Sequence, residues 1–357
     1  MRKPDIILGA PHIATFAVEV PAYSADQETA EDFMRKHFGT RLNSRSLSIM
    51  HAIFSHPSVK KRHFAFDDPE CLVKDDPDRR IARFTEKSID LATRAITTAL
   101  EQAAVSPQEV KGLVVNTCTG YICPGISTYL IERLGLSRRM PVYDMVGSGC
   151  GGAIPNLQVA ESLLRKNRGG VVVSASVEIC TATFQMGNDL SLILSNALFG
   201  DGAAAAVLWD RHEGLELMAS ACRYVPEQRD TIRYIHKDGH LHNQLSLKLP
   251  DIVSKAAAEV VGDVMSSQGL RLADIGHWAL HTGGEKIINA VRDEIGIPED
   301  KVWASRKVLS EYGNMSSPTV WFVLNEIQKK GIASGDWCIM VAYGAGLSAH
   351  AFLLRKK

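Results

Sequence analysis

Cys150, His281 and Asn314 are the residues whose types and settings best suit covalent acyl chemistry. Cys150 stands in Val146-Gly-Ser-Gly-Cys-Gly-Gly-Ala-Ile-Pro. Glycines on both sides permit a tight strand-to-helix turn and let a ligand approach the backbone. A helix starting there directs its free N–H groups and positive dipole end at the sulfur, which predicts a thiol pKa below its usual ~8.5 and a nucleophilic thiolate. Alone, the cysteine fits equally well as a buried packing residue. His281 closes the run Trp278-Ala-Leu-His before Thr282-Gly-Gly, at a strand end where ligands gather in α/β proteins. Singly it reads as a hydrogen-bonded core histidine. Asn314, in Glu311-Tyr-Gly-Asn-Met-Ser-Ser, lies just before a helix and singly reads as its N-cap.

The elements that must position these residues follow a repeated plan. Residues 84–104 carry Ile89, Leu91, Ala92, Ala95, Ile96 and Leu100 at helical spacing, followed by the short apolar strand Gly112-Leu-Val-Val-Asn-Thr. Val171 to Val177 and Ala203 to Trp209 are continuous apolar strands suited to burial on both faces. The second part of the chain repeats the order: a helix over 252–269, the strand ending at His281, and the Gly313-Asn-Met-Ser-Ser-Pro turn that opens the helix from Val320 to Ile327. Gly170-Val-Val-Val corresponds to Gly335-Asp-Trp-Cys-Ile-Met-Val, and Gly200-Asp-Gly-Ala to Gly344-Ala-Gly-Leu. The plan predicts layered α/β structure in two similar units, 1–213 and 214–357. It puts Cys150 and Asn314 at equivalent helix starts, and pseudo-twofold packing would bring both to one cleft with His281. Residues 21–80 and 222–250 fall outside the repeat, as insertions placed to cover a site between the halves.

Composition narrows the setting. The 357 residues hold 40 basic and 40 acidic side chains, so charge offers no reason to expect nucleic acid or a membrane surface as partner. The apolar stretches near the N-terminus are broken by Pro4, Pro11, Glu19 and Pro21, and no run of eighteen apolar residues suggests a membrane span. The 7 cysteines are scattered, which favours free thiols in a reducing cytoplasm. Neither Cys118 and Cys123 nor the pair His240 and His242 has a third ligand at zinc spacing, so no metal is expected.

Four stretches carry a family resemblance: Gly149-Cys-Gly-Gly, Ala279-Leu-His-Thr-Gly-Gly, Leu309-Ser-Glu-Tyr-Gly-Asn-Met-Ser-Ser and Asn196-Ala-Leu-Phe-Gly-Asp-Gly-Ala-Ala-Ala. They resemble the signatures of the chalcone synthase-like type III polyketide synthases, from about residue 10 to the C-terminus. The resemblance implies the duplicated thiolase fold, five αβαβα layers with mixed sheets, and a homodimer. It implies an acyltransferase without a cofactor, whose substrates are an acyl-CoA starter and malonyl-CoA. Cys150 would hold the starter and the growing chain. His281 and Asn314 would bind the thioester carbonyl of malonyl-CoA as it loses CO2, and two prealigned N–H donors suit the developing enolate. His281 would also help keep Cys150 ionised.

The same resemblance places Phe199 at the mouth between a CoA tunnel and the catalytic cavity. It assigns Lys60, Lys61 and Arg62 to CoA phosphates and suggests a cationic contact from Lys286; by itself the basic run reads equally as a solvated face. Three cavity positions carry Cys180, Thr183 and Tyr234, Ser316 matches the family serine, Asn243 replaces a second phenylalanine at the mouth, and Cys123 takes the place of a methionine that reaches across the dimer interface. Ala342-Tyr-Gly-Ala-Gly and Thr282 depart from the plant pattern and are more similar to bacterial members, so a starter other than the chalcone one is expected, either aliphatic or malonyl-CoA itself. Pyrone or resorcinol products fit this reading. A ketoacyl-carrier-protein synthase of the Cys-His-Asn type is the nearest alternative, followed by a papain-like hydrolase and a non-catalytic scaffold.

Overall fold

A computed structural model describes residues 9–74, 76–167, 169–237 and 239–357; Met1 to Leu8, at the start of the first predicted unit, lie outside it. The first half of the chain contains β1 (His12–Glu19), β2 (Ser24–Asp26), α1 (Gln27–Phe38), α2 (Ser44–Phe54), β3 (Lys61–His63) and α3 (Pro77–Gln102). It continues through β4 (Val110–Asn116), α4 (Ile126–Leu134), β5 (Val142–Met145), α5 (Ala153–Lys166), β6 (Val171–Glu178), α6 (Leu190–Leu198) and β7 (Gly202–Trp209). The second half runs β8 (Leu215–Tyr224), β9 (Ile232–Lys237), β10 (His240–Leu245), α7 (Leu249–Ser266), β11 (Ile275–Leu280), α8 (Glu285–Ile295), α9 (Trp303–Tyr312), α10 (Thr319–Lys330), β12 (Trp337–Gly344) and β13 (Ser348–Lys356).

The main sheet has the order β11-β12-β13-β8-β1-β7-β6-β4-β5. Its two ends are built alike. In one, β1 and β7 are antiparallel, β7 and β6 antiparallel, and β6 and β4 parallel. In the other, β8 and β13 are antiparallel, β13 and β12 antiparallel, and β12 and β11 parallel. Within the main sheet, the described halves meet where His12 and Ile13 of β1 pair with Glu216 and Leu215 of β8. The duplication expected from the repeat is therefore present strand by strand, with β5 as an extra edge.

Each layer follows from its side chains. Every residue of β6 and β7 is buried, because helices cover both faces of the strands. On one outer face the long amphipathic α3 packs Leu91, Ala95 and Ile96 against β1, β6 and β7. Its start is fixed by Asp76, whose carboxylate accepts from the Arg79 N–H at 3.0 Å, and by Pro77 at the first helical position. On the opposite outer face α7 and α8 bury Val260, Val261 and Ile288 against β11, β12 and β13. Between the two half-sheets, α5 and α10 share one core that includes Leu157, Trp321 and Phe322. The result is the five-layered αβαβα arrangement.

The two insertions lie over the site. α1, α2 and α6 form a small separate core around Met34, Met50, Phe54 and Ile193. β9 and β10 form a hairpin outside the main sheet. Both insertions supply walls of the cavity described next, through Gln27, His56 and Ser58 on one side and Ile232 and Leu245 on the other.

Candidate active site

Cys150 sits in a single 3-10 turn, Gly149–Gly151, that runs directly into α5. The turn is possible because Gly149 has φ +56° and packs against Ala345, where a side chain would meet the Ala345 N–H at 3.0 Å. Gly344 is tighter still: a Cβ there would lie 2.2 Å from the Ser148 carbonyl oxygen. The glycine-rich ends of β5 and β12 thus clasp the Cys150 turn from both halves.

His281 follows the last residue of β11, and its N–H donates to the Val341 carbonyl at 2.9 Å. Its ring meets the Tyr343 ring edge-on at 5.2 Å, and the Tyr343 hydroxyl donates to the His281 carbonyl at 2.5 Å. Asn314 is not the N-cap of α10, which begins five residues later at Thr319. Instead its backbone bridges to Phe199: the Asn314 N–H donates to the Leu198 carbonyl at 2.8 Å, and the Gly200 N–H to the Asn314 carbonyl at 3.0 Å. The Asn314 side-chain oxygen accepts from the Ser316 N–H at 2.8 Å, which leaves the amide N–H2 as its free face. A histidine at a strand end and an asparagine in a strapped loop thus reach one cavity by different routes.

That cavity encloses about 1720 Å3 of space between atoms, its open mouth included. Cys150, His281, Asn314, Phe199 and Gly344 share its walls. Phe199 also walls a second cavity, about 840 Å3 of space between atoms with its opening included, together with Cys180, Thr183 and Asn243. Tyr234 lies beside that second group, its hydroxyl 3.5 Å from Thr183 Oγ1. Ser316, buried with φ +59°, places its hydroxyl 3.2 Å from the Cys118 sulfur.

Electrostatics corrects two expectations. Burial pushes the Cys150 thiol up to about 11, against the pull of Ser316 and Asn314, whose hydrogen bonds favour the thiolate. The helix start does not outweigh desolvation, because the sulfur is buried rather than presented to solvent. Burial likewise lowers His281 to about 3. The resting pair is therefore neutral thiol and neutral imidazole, and each charged form is favoured only beside the other, as a thiolate–imidazolium pair. The His281 Nδ1 is buried without a partner among the described residues.

The basic run is split by its own strand. Lys60 and Lys61 are exposed and lie outside the cavity walls, while Arg62 is 1% exposed and points into the interior. Alternation along β3 turns Lys61 and Arg62 to opposite faces, and Lys60 precedes the strand. The phosphate assignment of Arg62 is thereby corrected: its Nη1 donates to the Asn196 and Phe199 carbonyls at 2.6 and 2.9 Å. Lys286 does stand at the cavity wall, and so does His56, which the sequence reading passed over. His56 lies 3.5 Å from Glu285, which joins α2 to α8 across the mouth; no motif in the sequence marks it. Cys123 lies on the surface. His242 is held by Asp189 at 3.1 Å and Gln185 at 3.3 Å, and among the described residues no three His, Cys, Asp or Glu side chains gather as a metal site.

The comparisons with known proteins now decide the family. Residues 22–223, more than half of the chain, match the model of FAE1/type III polyketide synthase-like proteins. Residues 216–357 match the C-terminal domain of chalcone and stilbene synthases. The chain is a type III polyketide synthase.

Among curated relatives, a 3,5-dihydroxyphenylacetyl-CoA synthase of Streptomyces toyocaensis is 28% identical over 318 residues, covering 85% of this chain and 82% of that protein. The crystal structure of PKS-I from the brown alga Ectocarpus siliculosus superposes with a TM-score of 0.91 at 25% identity, over 99% of this chain and 100% of that one. The 1,3,6,8-tetrahydroxynaphthalene synthase of Streptomyces coelicolor A3(2) has the same fold, with a TM-score of 0.89 at 21% identity over 97% and 99% of the two chains. Like other type III polyketide synthases, this enzyme is an acyltransferase that condenses CoA thioesters, with acyl-CoA and malonyl-CoA as its substrate classes. No described helix is long and apolar enough to cross a membrane.

Proposed function

We propose that Cys150 takes the starter acyl group from its CoA thioester, with loss of CoA as the thiol, and that His281 accepts the Cys150 proton. Malonyl-CoA then binds with its thioester oxygen against the His281 ring and the Asn314 amide. The two N–H donors stabilise the enolate left by departing CO2, in a site already shielded from water. The enolate carbon attacks the Cys150 thioester, and the sulfur leaves to be reloaded with the longer chain. The observation that carries this reading is the common cavity wall of Cys150, His281 and Asn314. Lys286 and His56 at the same wall are the residues proposed to meet CoA, in place of the buried Arg62.

The starter is taken to be an aliphatic acyl-CoA or malonyl-CoA itself, and the product a pyrone or resorcinol-type ring. Support comes from the second cavity behind Phe199, whose walls at Cys180, Thr183 and Asn243 give a growing chain room. The two repeat units, 1–213 and 214–357, are taken as the halves that each supply part of the site. The working unit is taken to be a homodimer in the cytoplasm, with Cys123 at the interface. The exposed edge strand β5, with Tyr143 and Val146 uncovered beside it, suits such a contact.

Purified enzyme, incubated with a panel of acyl-CoA starters plus malonyl-CoA and no carrier protein, should release multiply extended products detectable by mass spectrometry. A strict requirement for acyl carrier protein would instead identify a ketoacyl synthase. His281→Ala and Asn314→Ala should slow malonyl-CoA decarboxylation more than starter loading.

A further inference from the structure

The last turn of α6 is held by two side chains that come from the 21–80 insertion. The final carbonyls of a helix have no partner within it and must find donors elsewhere. Here the Asn196 carbonyl accepts from Arg62 Nη1 at 2.6 Å, and the Phe199 carbonyl accepts from the same nitrogen at 2.9 Å. Gln27 Nε2 donates to the Ala197 carbonyl at 2.9 Å. Arg62 Nε in turn donates to Gln27 Oε1 at 3.0 Å, which locks the two side chains into one unit. The remaining carbonyl, of Leu198, takes the Asn314 N–H at 2.8 Å.

A fully buried guanidinium is costly, so its contacts must compensate. Arg62 meets the negative end of the α6 dipole, and its planar group lies over the rings of Phe54 and Phe64 at 5.6 and 5.0 Å. Gly313, with φ +71°, passes so close that a Cβ would lie 2.9 Å from Arg62 Cγ. Arg62 does not wall the catalytic cavity, as Phe199 and Asn314 do, although it lines the second cavity beside Phe199.

We propose that Arg62, backed by Gln27, is a positioning residue for Phe199 and Asn314. The pair fixes the end of α6, and the Leu198, Asn314 and Gly200 backbone bonds carry that fix to the Asn314 amide facing Cys150. A lysine cannot replace the arginine, because a single ammonium does not span two carbonyls and the Gln27 amide in one plane. This rests on the reading of Asn314 as a donor in malonyl-CoA decarboxylation.

The test compares Arg62→Lys with wild type in three measurements: malonyl-CoA decarboxylation, acyl loading of Cys150 by mass spectrometry, and backbone hydrogen exchange. Decarboxylation kcat should fall roughly 10- to 100-fold, as for a donor displaced by a fraction of an ångström to an ångström, with KM within about twofold. Loading should stay within about threefold of wild type, since Cys150 is held by a different turn. The amides of Gly200 and Asn314 should exchange faster, while those of β6 keep their protection. Gln27→Met should show the same split at smaller size, and decides the matter if Arg62→Lys does not fold. Equal losses of loading and decarboxylation, or wild-type behaviour in all three measurements, overturn the proposal. Asn314→Ala separates the two readings. If that variant decarboxylates normally, the role of Asn314 is wrong; if it fails while the Arg62 and Gln27 variants behave as wild type, only the positioning role is wrong.

Discussion

Ser317 donates a 2.6 Å hydrogen bond to Oε1 of Glu178, joining two halves of the fold through residues 139 positions apart. The other carboxylate oxygen, Oε2, accepts from Thr117 Oγ1, Cys118 N and Thr119 Oγ1 at 3.1, 2.8 and 2.9 Å. Burial raises the Glu178 pKa against these bonds. This carboxylate lies behind the cavity and ties β4 and β6 to the loop that carries Asn314 and Ser316.

Glu178→Ala should therefore destabilise the protein by about 3–5 kcal/mol, because five donors, the Ser316 hydroxyl at 3.4 Å from Oε1 included, lose their acceptor together. Glu178→Gln should cost only about 1 kcal/mol. Its amide oxygen serves the three donors now on Oε2, and the Ser317 hydroxyl can rotate to accept from the amide nitrogen. Urea unfolding of both variants checks the contrast, and equal losses would show that the network is not what holds the halves here.

The thiol of Cys150 should depend on His281 for its reactivity. In His281→Ala nothing remains to take the proton from a thiol that burial holds near 11. Iodoacetamide labelling of that variant should rise about tenfold per pH unit from pH 7 to pH 10. Wild-type enzyme should label faster at pH 7 and with a shallower slope, because the imidazole accepts the proton inside the site. A labelling profile identical in both proteins would remove His281 from this role.

Stability should fall on mild acidification through the same histidine. The folded pKa of His281 lies at about 3, below the unfolded value of 6.5. The stability linked to it is thus fully present above pH 6.5 and is lost as the unfolded state takes up its proton between pH 6.5 and 3. Between pH 7.5 and pH 5 the loss is about 2 kcal/mol. Replacing the ring by the neutral amide in His281→Gln should flatten the pH dependence by that amount. Chemical unfolding at the two pH values measures the difference directly.

Gly344→Ala should disable starter loading without unfolding the chain. An added Cβ would press on the Ser148 carbonyl at 2.2 Å and on the Gly151 N–H at 2.5 Å, and the turn that carries Cys150 is the part free to move. Loading of Cys150, followed by mass spectrometry, should fall about 100-fold, the scale expected for a nucleophile displaced by an ångström. Retained loading would show that the turn yields at no catalytic cost.

Local pattern carried much of this protein's description. Continuous apolar runs marked β6 and β7, helical apolar spacing marked α3, and the matching glycine turns marked the duplication that the strand order displays. The motifs around Cys150, His281 and Asn314, which one cavity brings together, were legible because each is contiguous in the chain. Three things were not legible, and each depends on contacts between distant segments. The basic run Lys60-Lys61-Arg62 looked uniform until β3 turned Arg62 inward against α6, more than 130 positions away. Asn314 looked like a helix cap until the backbone bridge to Phe199 strapped it to the cavity. The cysteine looked like a thiolate until the packed fold removed the water that a lone thiolate needs. Sequence spacing determines which face a side chain shares with its neighbours; burial, charge state and hydrogen-bond partners are set by what the rest of the chain packs against that face, and only the tertiary structure decides that.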